Sequence, residues 1–200
     1  MGFLATKFYA RDTETVAREL LGKVLVREVN GRPVRCRIVE TEAYFGQNDP
    51  ASHAARGRTK RNGVMFGAPG RAYVYFNYGM HNLLNVVTEV EGTAGAVLIR
   101  AVEPLQGADL MLLNRPVADV RQLTNGPGKL TQALAIDLRD NGRPLDTTVL
   151  GISGGRGNGF AVARGSRIGI SAGQELDLRF YISGNPYVSR RSIDEAKGYL

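Results

Sequence analysis

Glu40, Glu42 and Tyr44 occupy alternate positions of the stretch RIVETEAY, residues 37–44. In an extended strand successive side chains point to opposite faces, so these three share one face and Val39, Thr41 and Ala43 the other. Two carboxylates and a phenol in a row suit general acid–base chemistry, because burial beside aromatic rings lifts a carboxyl pKa into a useful range. The same alternation also describes the solvated face of an amphipathic edge strand, and strand geometry alone does not choose between Glu40 and Glu42 as a base. The stretch leads directly into FGQNDPASHAARGRTKRNGVMFGAPG, residues 45–70, which carries Arg56, Arg58, Lys60 and Arg61 and has no sustained strand period. Connections of that length in compact domains are usually functional or disordered.

A second cluster is aromatic. RAYVYFNYGM holds Tyr73, Tyr75, Phe76 and Tyr78 within six residues. Aromatics favour strands, and a sheet core with phenolic tips accounts for the pattern. The functional alternative puts Tyr75 in a pocket and lets Tyr78, in the turn before Gly79, project outward, where stacking on a base is worth about 1–3 kcal/mol. NGPGKL, residues 125–130, offers backbone amides and Lys129 at a helix start, a setting for phosphate, although glycines before a helix are also ordinary turn chemistry. His53 and His81 are the only histidines and Cys36 the only cysteine. Those three do not supply a four-ligand structural zinc site or the ligands of a zinc deaminase. Neither a Walker A loop nor a nucleophile elbow occurs, which removes nucleotide phosphoryl transfer and serine hydrolysis.

The elements that must position these residues can be read from periodicity. DTETVARELLG predicts a helix capped by Asp12, with Val16, Leu20 and Leu21 as its apolar stripe and Gly22 at its end. KVLVREV and PVRCRIVETEAY flank Asn30-Gly31, a hairpin signal. Asp49-Pro50 suits the start of one short helical turn. RAYVYFNY, HNLLNVVTEV and AVLIRAV read as strands, followed by a helix from about Leu105 to Leu113 and another opening at NGPGKLTQALAI. TTVLGI, FAVARGSRIGIS and LDLRFYIS read as strands again. The expected fold is α+β: one domain over residues 1–200, with a curved, mainly antiparallel sheet and peripheral helices.

Two hundred residues with 43% hydrophobic and 25 glycines fit one turn-rich domain of ordinary core size. The net charge of +7, from 26 basic and 19 acidic residues with 21 of the 26 Arg, suits a polyanion such as nucleic acid. A genome rich in G and C gives the same arginine excess. A lone cysteine inside a strand pattern forbids an intrachain disulfide and fits a reducing compartment. MGFLAT has the outline of an N-myristoylation signal, but with neither a signal peptide nor a long apolar run the reading is a soluble, unexported protein.

Taken together, RIVETEAY, SHAARGRTKRNGVMFGAPGRAYVYFNYGMHNLLNVV, AVLIRAVEPL, NGPGKLTQALAI and RFYISGNPYVS resemble the alkyladenine (3-methyladenine) DNA glycosylase family, in matching order from about Phe3 to Ser189. The resemblance implies excision of damaged purines, alkylated adenine and also hypoxanthine or ethenoadenine, by base flipping and hydrolysis of the N-glycosidic bond. By that resemblance Glu42 is the general base that activates the water. Arg100 stands next to that water, and the backbone carbonyl of Ile168 helps hold it. Tyr44 is one wall of the base pocket, His53 and Tyr75 the other, and Asn85 crowds the exocyclic amino group of normal guanine. Tyr78 fills the gap left in the stack, with Met80 beside it. His81 departs from the pattern, standing where mammalian members have an aromatic.

No cofactor is implied. The expected partner is double-stranded DNA containing damaged purines, with no membrane, a monomeric state and a cytoplasmic location, nucleoid-associated in a bacterium. Two rival classes remain open: a Mg²⁺-dependent nuclease using Glu40, Glu42 and Asp49, and an architectural DNA-binding protein with Tyr78 as a wedge.

Overall fold

The computed structural model describes residues 2–77, 79–155 and 159–189. Asn30 and Gly31 take φ of 51° and 73°, the two left-handed residues that a tight hairpin turn requires. They join β1 (Val24–Val29) to β2 (Arg32–Tyr44) in antiparallel register. Beyond them come β3 (Ala72–Asn77), β4 (His81–Val87), β5 (Ala96–Gln106), β6 (Leu150–Ser153), β7 (Val162–Gly165) and β8 (Arg179–Ile182). All eight belong to one antiparallel sheet, ordered β3-β4-β5-β2-β1-β6. The α+β reading, with a curled sheet and a few helices around it, holds.

The sheet forks at β2. Along one edge β2 pairs with β5 from Arg35 to Tyr44, while along the other its first half pairs with β1 and residues Glu40–Glu42 pair with β8, which carries β7. A register irregularity between β2 and β5 at Glu40 lies in this second half. Every residue from Ile38 to Ala43 is buried, so both faces are covered. The edge-strand alternative for RIVETEAY is therefore excluded.

One of those faces is covered by α2 (Thr13–Leu20), which follows a single short turn of helix, α1 (Thr6–Tyr9). Asp12 caps α2 by accepting from the Thr15 amide at 2.8 Å; Val16 and Leu20 are buried against the sheet as the periodicity predicts, Leu21 is buried at the C-cap, and Ala17 joins them. The Thr41 hydroxyl donates to the Ala17 carbonyl at 2.8 Å, tying β2 to the helix and fixing which face Thr41 occupies. Its neighbours Glu40 and Glu42 consequently face the other way. Cys36 is fully buried, as expected for a small apolar residue.

Several boundaries differ from expectation for local reasons. The helix expected from Leu105 begins later, as α3 (Ala108–Asn114), because β5 continues to Gln106 and Gly107 turns the chain at φ 81°. The expected strand over residues 160–171 is confined to Val162–Gly165, and the remainder is irregular. Asp49-Pro50 starts turns rather than a helix, since the Asp49 carboxylate binds the amides of Phe45 and Ala51 instead of capping a continuing helix. The long basic loop also contains a 3-10 turn over Gly63–Phe66, which no strand or helix period in the sequence signals. The helix at NGPGKL is α4 (Pro127–Ala133), with proline in its first turn. Among the described residues no helix is long and apolar enough to cross a membrane.

Candidate active site

Glu42 has no exposed surface, and three groups from three parts of the chain bond its carboxylate. Oε2 accepts from the Tyr44 hydroxyl at 2.8 Å and from Arg100 Nη1 at 3.2 Å, and Oε1 accepts from the backbone amide of Ile168 at 2.7 Å. Each carboxylate oxygen has about two acceptor directions. On these contacts Oε2 is saturated and Oε1 retains one. Burial raises the Glu42 pKa above the ordinary glutamate value; Arg100, the Ile168 amide and Tyr44 oppose the rise without cancelling it, and Glu40 adds to it.

Glu40, two residues away on the same face, is in a different environment. Its carboxylate accepts from Arg100 Nε at 3.1 Å, Arg179 Nε at 2.7 Å, and the amide and hydroxyl of Ser189, each at 2.7 Å. Burial alone would raise its pKa, but Arg100, Arg179 and the Ser189 bonds outweigh that and hold it below the usual value. Glu40 is thus an anchor for Arg100 whose ionised form is favoured, while Glu42 is the carboxylate whose proton affinity is elevated. This physical difference separates two residues that strand alternation leaves equivalent.

The groups that bond Glu42 open onto a cavity of about 400 Å³, lined by Tyr44, Arg100 and Ile168 on its polar side. His53, Tyr73, Tyr75, Asn85, Leu98 and Ile170 contribute to the rest of the lining. β3 and β4 set one wall: Tyr73 lies opposite Asn85 in register, and Asn85, which is buried, donates from its amide to the Tyr73 carbonyl at 3.0 Å. His53, on the long basic loop, meets Tyr75 edge to face at 4.5 Å between centroids, and its Nδ1 shares a 2.8 Å hydrogen bond with the Tyr73 hydroxyl. Burial, with Arg61 nearby, lowers the His53 pKa, which favours a neutral imidazole.

The loop that carries His53 is held by internal bonds rather than by secondary structure. Asn62 is buried; its side-chain amide donates to the carbonyls of His53 at 2.7 Å and Gly57 at 3.0 Å, and its oxygen accepts from the Thr59 amide at 2.6 Å. Arg61 stacks over Tyr75 at 5.4 Å and donates to the Phe76 carbonyl at 3.2 Å.

Seven of the residues singled out in the sequence, Glu42, Tyr44, His53, Tyr75, Asn85, Arg100 and Ile168, converge on this cavity or on groups lining it. Ile168 contributes a bond through its amide, where the expectation concerned its carbonyl. Tyr78 lies outside the described residues. Met80 is 70% exposed in the turn after β3, beside Gly79 at φ 67°. Lys129 is turned onto Asn125, 2.7 Å away, at the start of α4, whose Pro127 also lines the cavity. His81 packs against this same turn, where any Cβ at Gly128 would fall 2.7 Å from its ring.

In the sequence Asp49 reads as a turn former or a metal ligand, and nothing local marks Arg167, Arg179 or Ser189 as partners of buried carboxylates. Their partners lie 118 to 149 residues away in the chain, so no local spacing signals them.

A buried, arginine-bridged carboxylate thus lies beside an aromatic-lined cavity on a curled antiparallel sheet. The profile of the methylpurine-DNA glycosylase family matches residues 7–186. Two bacterial proteins, from Prosthecochloris aestuarii and Carboxydothermus hydrogenoformans, are each 53% identical to the chain, over 194 and 192 residues, covering 96% and 94% of it and 93% and 99% of themselves. One from Methanoculleus marisnigri is 47% identical over 192 residues, covering 94% of this chain and 99% of its own. All three bear the name "Putative 3-methyladenine DNA glycosylase". The chain belongs to the methylpurine-DNA glycosylase family.

Proposed function

We propose that this protein is a monofunctional DNA glycosylase that draws an alkylated purine out of duplex DNA into the cavity and hydrolyses its N-glycosidic bond. The observation that carries this reading is the pairing of an aromatic cavity with Glu42, whose pKa is raised and whose Oε1 keeps an acceptor direction beside the Ile168 amide. In the proposed reaction Glu42 accepts a proton from water as the water attacks the sugar carbon and the base departs. Arg100, bonded to both Glu40 and Glu42, keeps the carboxylate oriented and limits the rise of its pKa. The Ile168 carbonyl is proposed to hold the water from the other side.

Tyr44 stacks on one face of the flipped base and His53 with Tyr75 on the other. Flipping costs a few kcal/mol, least for a damaged base, and each aromatic stack returns about 1–3 kcal/mol. A cationic alkylpurine adds cation–π attraction to the tyrosine faces and is already a good leaving group. Asn85, buried and bonded to the Tyr73 carbonyl, is a rigid group suited to exclude an extra exocyclic amine. Tyr78 and Met80 are proposed to fill the vacated place in the duplex, and Lys129 to contact phosphate. No lysine is among the described residues that line the cavity, which favours hydrolysis over an amine-linked intermediate.

The nuclease alternative is disfavoured by the donor set. Glu40, Glu42 and Asp49 each bond an arginine within 3.2 Å, and a guanidinium in that position competes with a cation for the same oxygens. The test is to incubate the protein with alkylated duplex DNA in EDTA and analyse released bases. Free alkylpurine and an intact backbone with abasic sites are expected. Metal-dependent strand scission, or binding without base release, would overturn the proposal.

A further inference from the structure

Asp49 and Arg167 form a bidentate ion pair at 2.6 and 2.7 Å, with both side chains essentially without exposed surface. The pair joins the two loops that flank Glu42's strand. Asp49 also accepts from the amides of Phe45 and Ala51, so its two oxygens carry four hydrogen bonds. Arg167 also donates to the Ala43 carbonyl at 3.0 Å, and its guanidinium lies 4.7 Å from the centroid of Tyr44. On the Asp49 side the chain goes on to the cavity residues Ala51 and His53, and on the Arg167 side the next residue is Ile168. Gly173, at φ 68°, lets this second loop fold onto Arg167, where any Cβ would come within 2.9 Å of Nη2.

Buried ion pairs are weak sources of stability, because desolvation offsets their attraction. Arg167 Nε is moreover buried without a hydrogen-bond partner. What the pair supplies is geometry. One guanidinium simultaneously restrains the end of β2, the ring of Tyr44 and the residue preceding the Glu42-bonding amide, and its carboxylate partner restrains the loop carrying His53.

Resting on the glycosylase reading above, we infer that Asp49 and Arg167 are positioning residues for base excision: a clamp that sets Tyr44 and the Ile168 amide relative to Glu42. Misplacing groups by about 1 Å costs about 10²-fold in rate, and loss of the Ile168 bond removes a stabiliser of ionised Glu42. Glu42 otherwise faces Arg100 from β5, Tyr44 and Glu40 from its own strand, and Arg167, with Tyr75 from β3 also in range.

The test compares wild type, Glu42→Gln, Asp49→Asn, Arg167→Lys and the doubly neutral Asp49→Leu/Arg167→Met by thermal melting and by single-turnover excision of an alkylated purine at saturating protein across pH. Leu/Met leaves no buried charge unpaired and is expected to fold. The expected result is a cooperative melt, retained DNA binding, a rate about 10²-fold lower and an acid limb moved to higher pH. Arg167→Lys keeps the charge but not the fork, and is expected to be impaired in rate as well. A folded Leu/Met variant with wild-type rate and pH profile overturns the clamp. If that variant does not fold, the single variants decide: wild-type rates per folded molecule in both overturn it, and slowed rates with a shifted acid limb support it. Absence of base release by wild type, or wild-type release by Glu42→Gln, overturns the reading of the site instead.

Discussion

At the residue scale, Glu40 and Glu42 differ by environment alone. Both are fully buried and both touch Arg100, yet three further donors, Arg179 Nε and the amide and hydroxyl of Ser189, hold the Glu40 pKa down while burial dominates at Glu42. Glu42→Gln is isosteric but cannot take the water's proton. It is expected to bind lesion DNA while base release falls by about 10²–10⁴-fold, as measured by single-turnover excision alongside a binding titration. The pH dependence follows from the sign of the shift. A carboxyl with a raised pKa is still protonated where an ordinary glutamate is ionised, so its base form is lost earlier as pH falls. The acid limb of the excision rate should therefore lie above the ordinary glutamate value, and Glu40, shifted the other way, stays ionised through that window. Tyr44→Phe keeps the ring but removes the 2.8 Å donor to Glu42. It is expected to move that limb further up without changing the preference between cationic and neutral lesions, whereas Tyr44→Ala loses most on cationic bases. A limb that stays in place in Tyr44→Phe would assign it to another group.

At the element scale, β2 does most of the positioning. It is 13 residues long, bonded along both edges and covered on both faces in its second half, so the carboxylates it carries have little freedom. Glu40→Ala would leave Arg179, itself 2% exposed, without its buried counter-charge, and a loss of about 3–5 kcal/mol is expected in denaturant unfolding. The basic loop is ordered by different means. Asn62→Ala removes three part-buried hydrogen bonds that close the loop around the His53 peptide, each worth about 0.5–1.5 kcal/mol. Proteolysis at residues 55–62 should accelerate and affinity for lesion DNA should fall, with excision at saturating protein affected less. Equal protease resistance in Asn62→Ala and wild type would show that the loop is held by other contacts.

At the scale of the whole molecule, the formal charge of +7 predicts binding to undamaged duplex that weakens with salt, at a slope of about −0.9 per neutralised phosphate. Titration of duplex binding across salt concentrations measures it. A flat response would assign the arginine excess to genome composition. The aromatic cavity and the exposed turn at Met80 lie on the same sheet margin, since β3 and β4 supply both. A duplex held at that turn would have the cavity beside it.

Much of this protein is determined by local sequence. Asn30-Gly31 specifies the hairpin because two successive left-handed residues admit few other types, and Asp12 with its apolar stripe specifies α2. The ordered motifs identify the family, and with it seven residues that gather at the cavity. What the sequence leaves undecided depends on pairings across long chain separations. Strand alternation puts Glu40 and Glu42 on one face but not in different electrostatic surroundings; that required Arg179 and Ser189 to arrive from the far end of the chain. Residues 166–171 look like a strand by composition, yet form irregular chain at the cavity because β7 ends at Gly165 and Arg167 turns in to Asp49. A buried guanidinium is stable only where a carboxylate and carbonyls meet it, and no spacing in one segment encodes that meeting. Tertiary packing decided it, because only the folded chain excludes the water that would otherwise satisfy each of these charges separately.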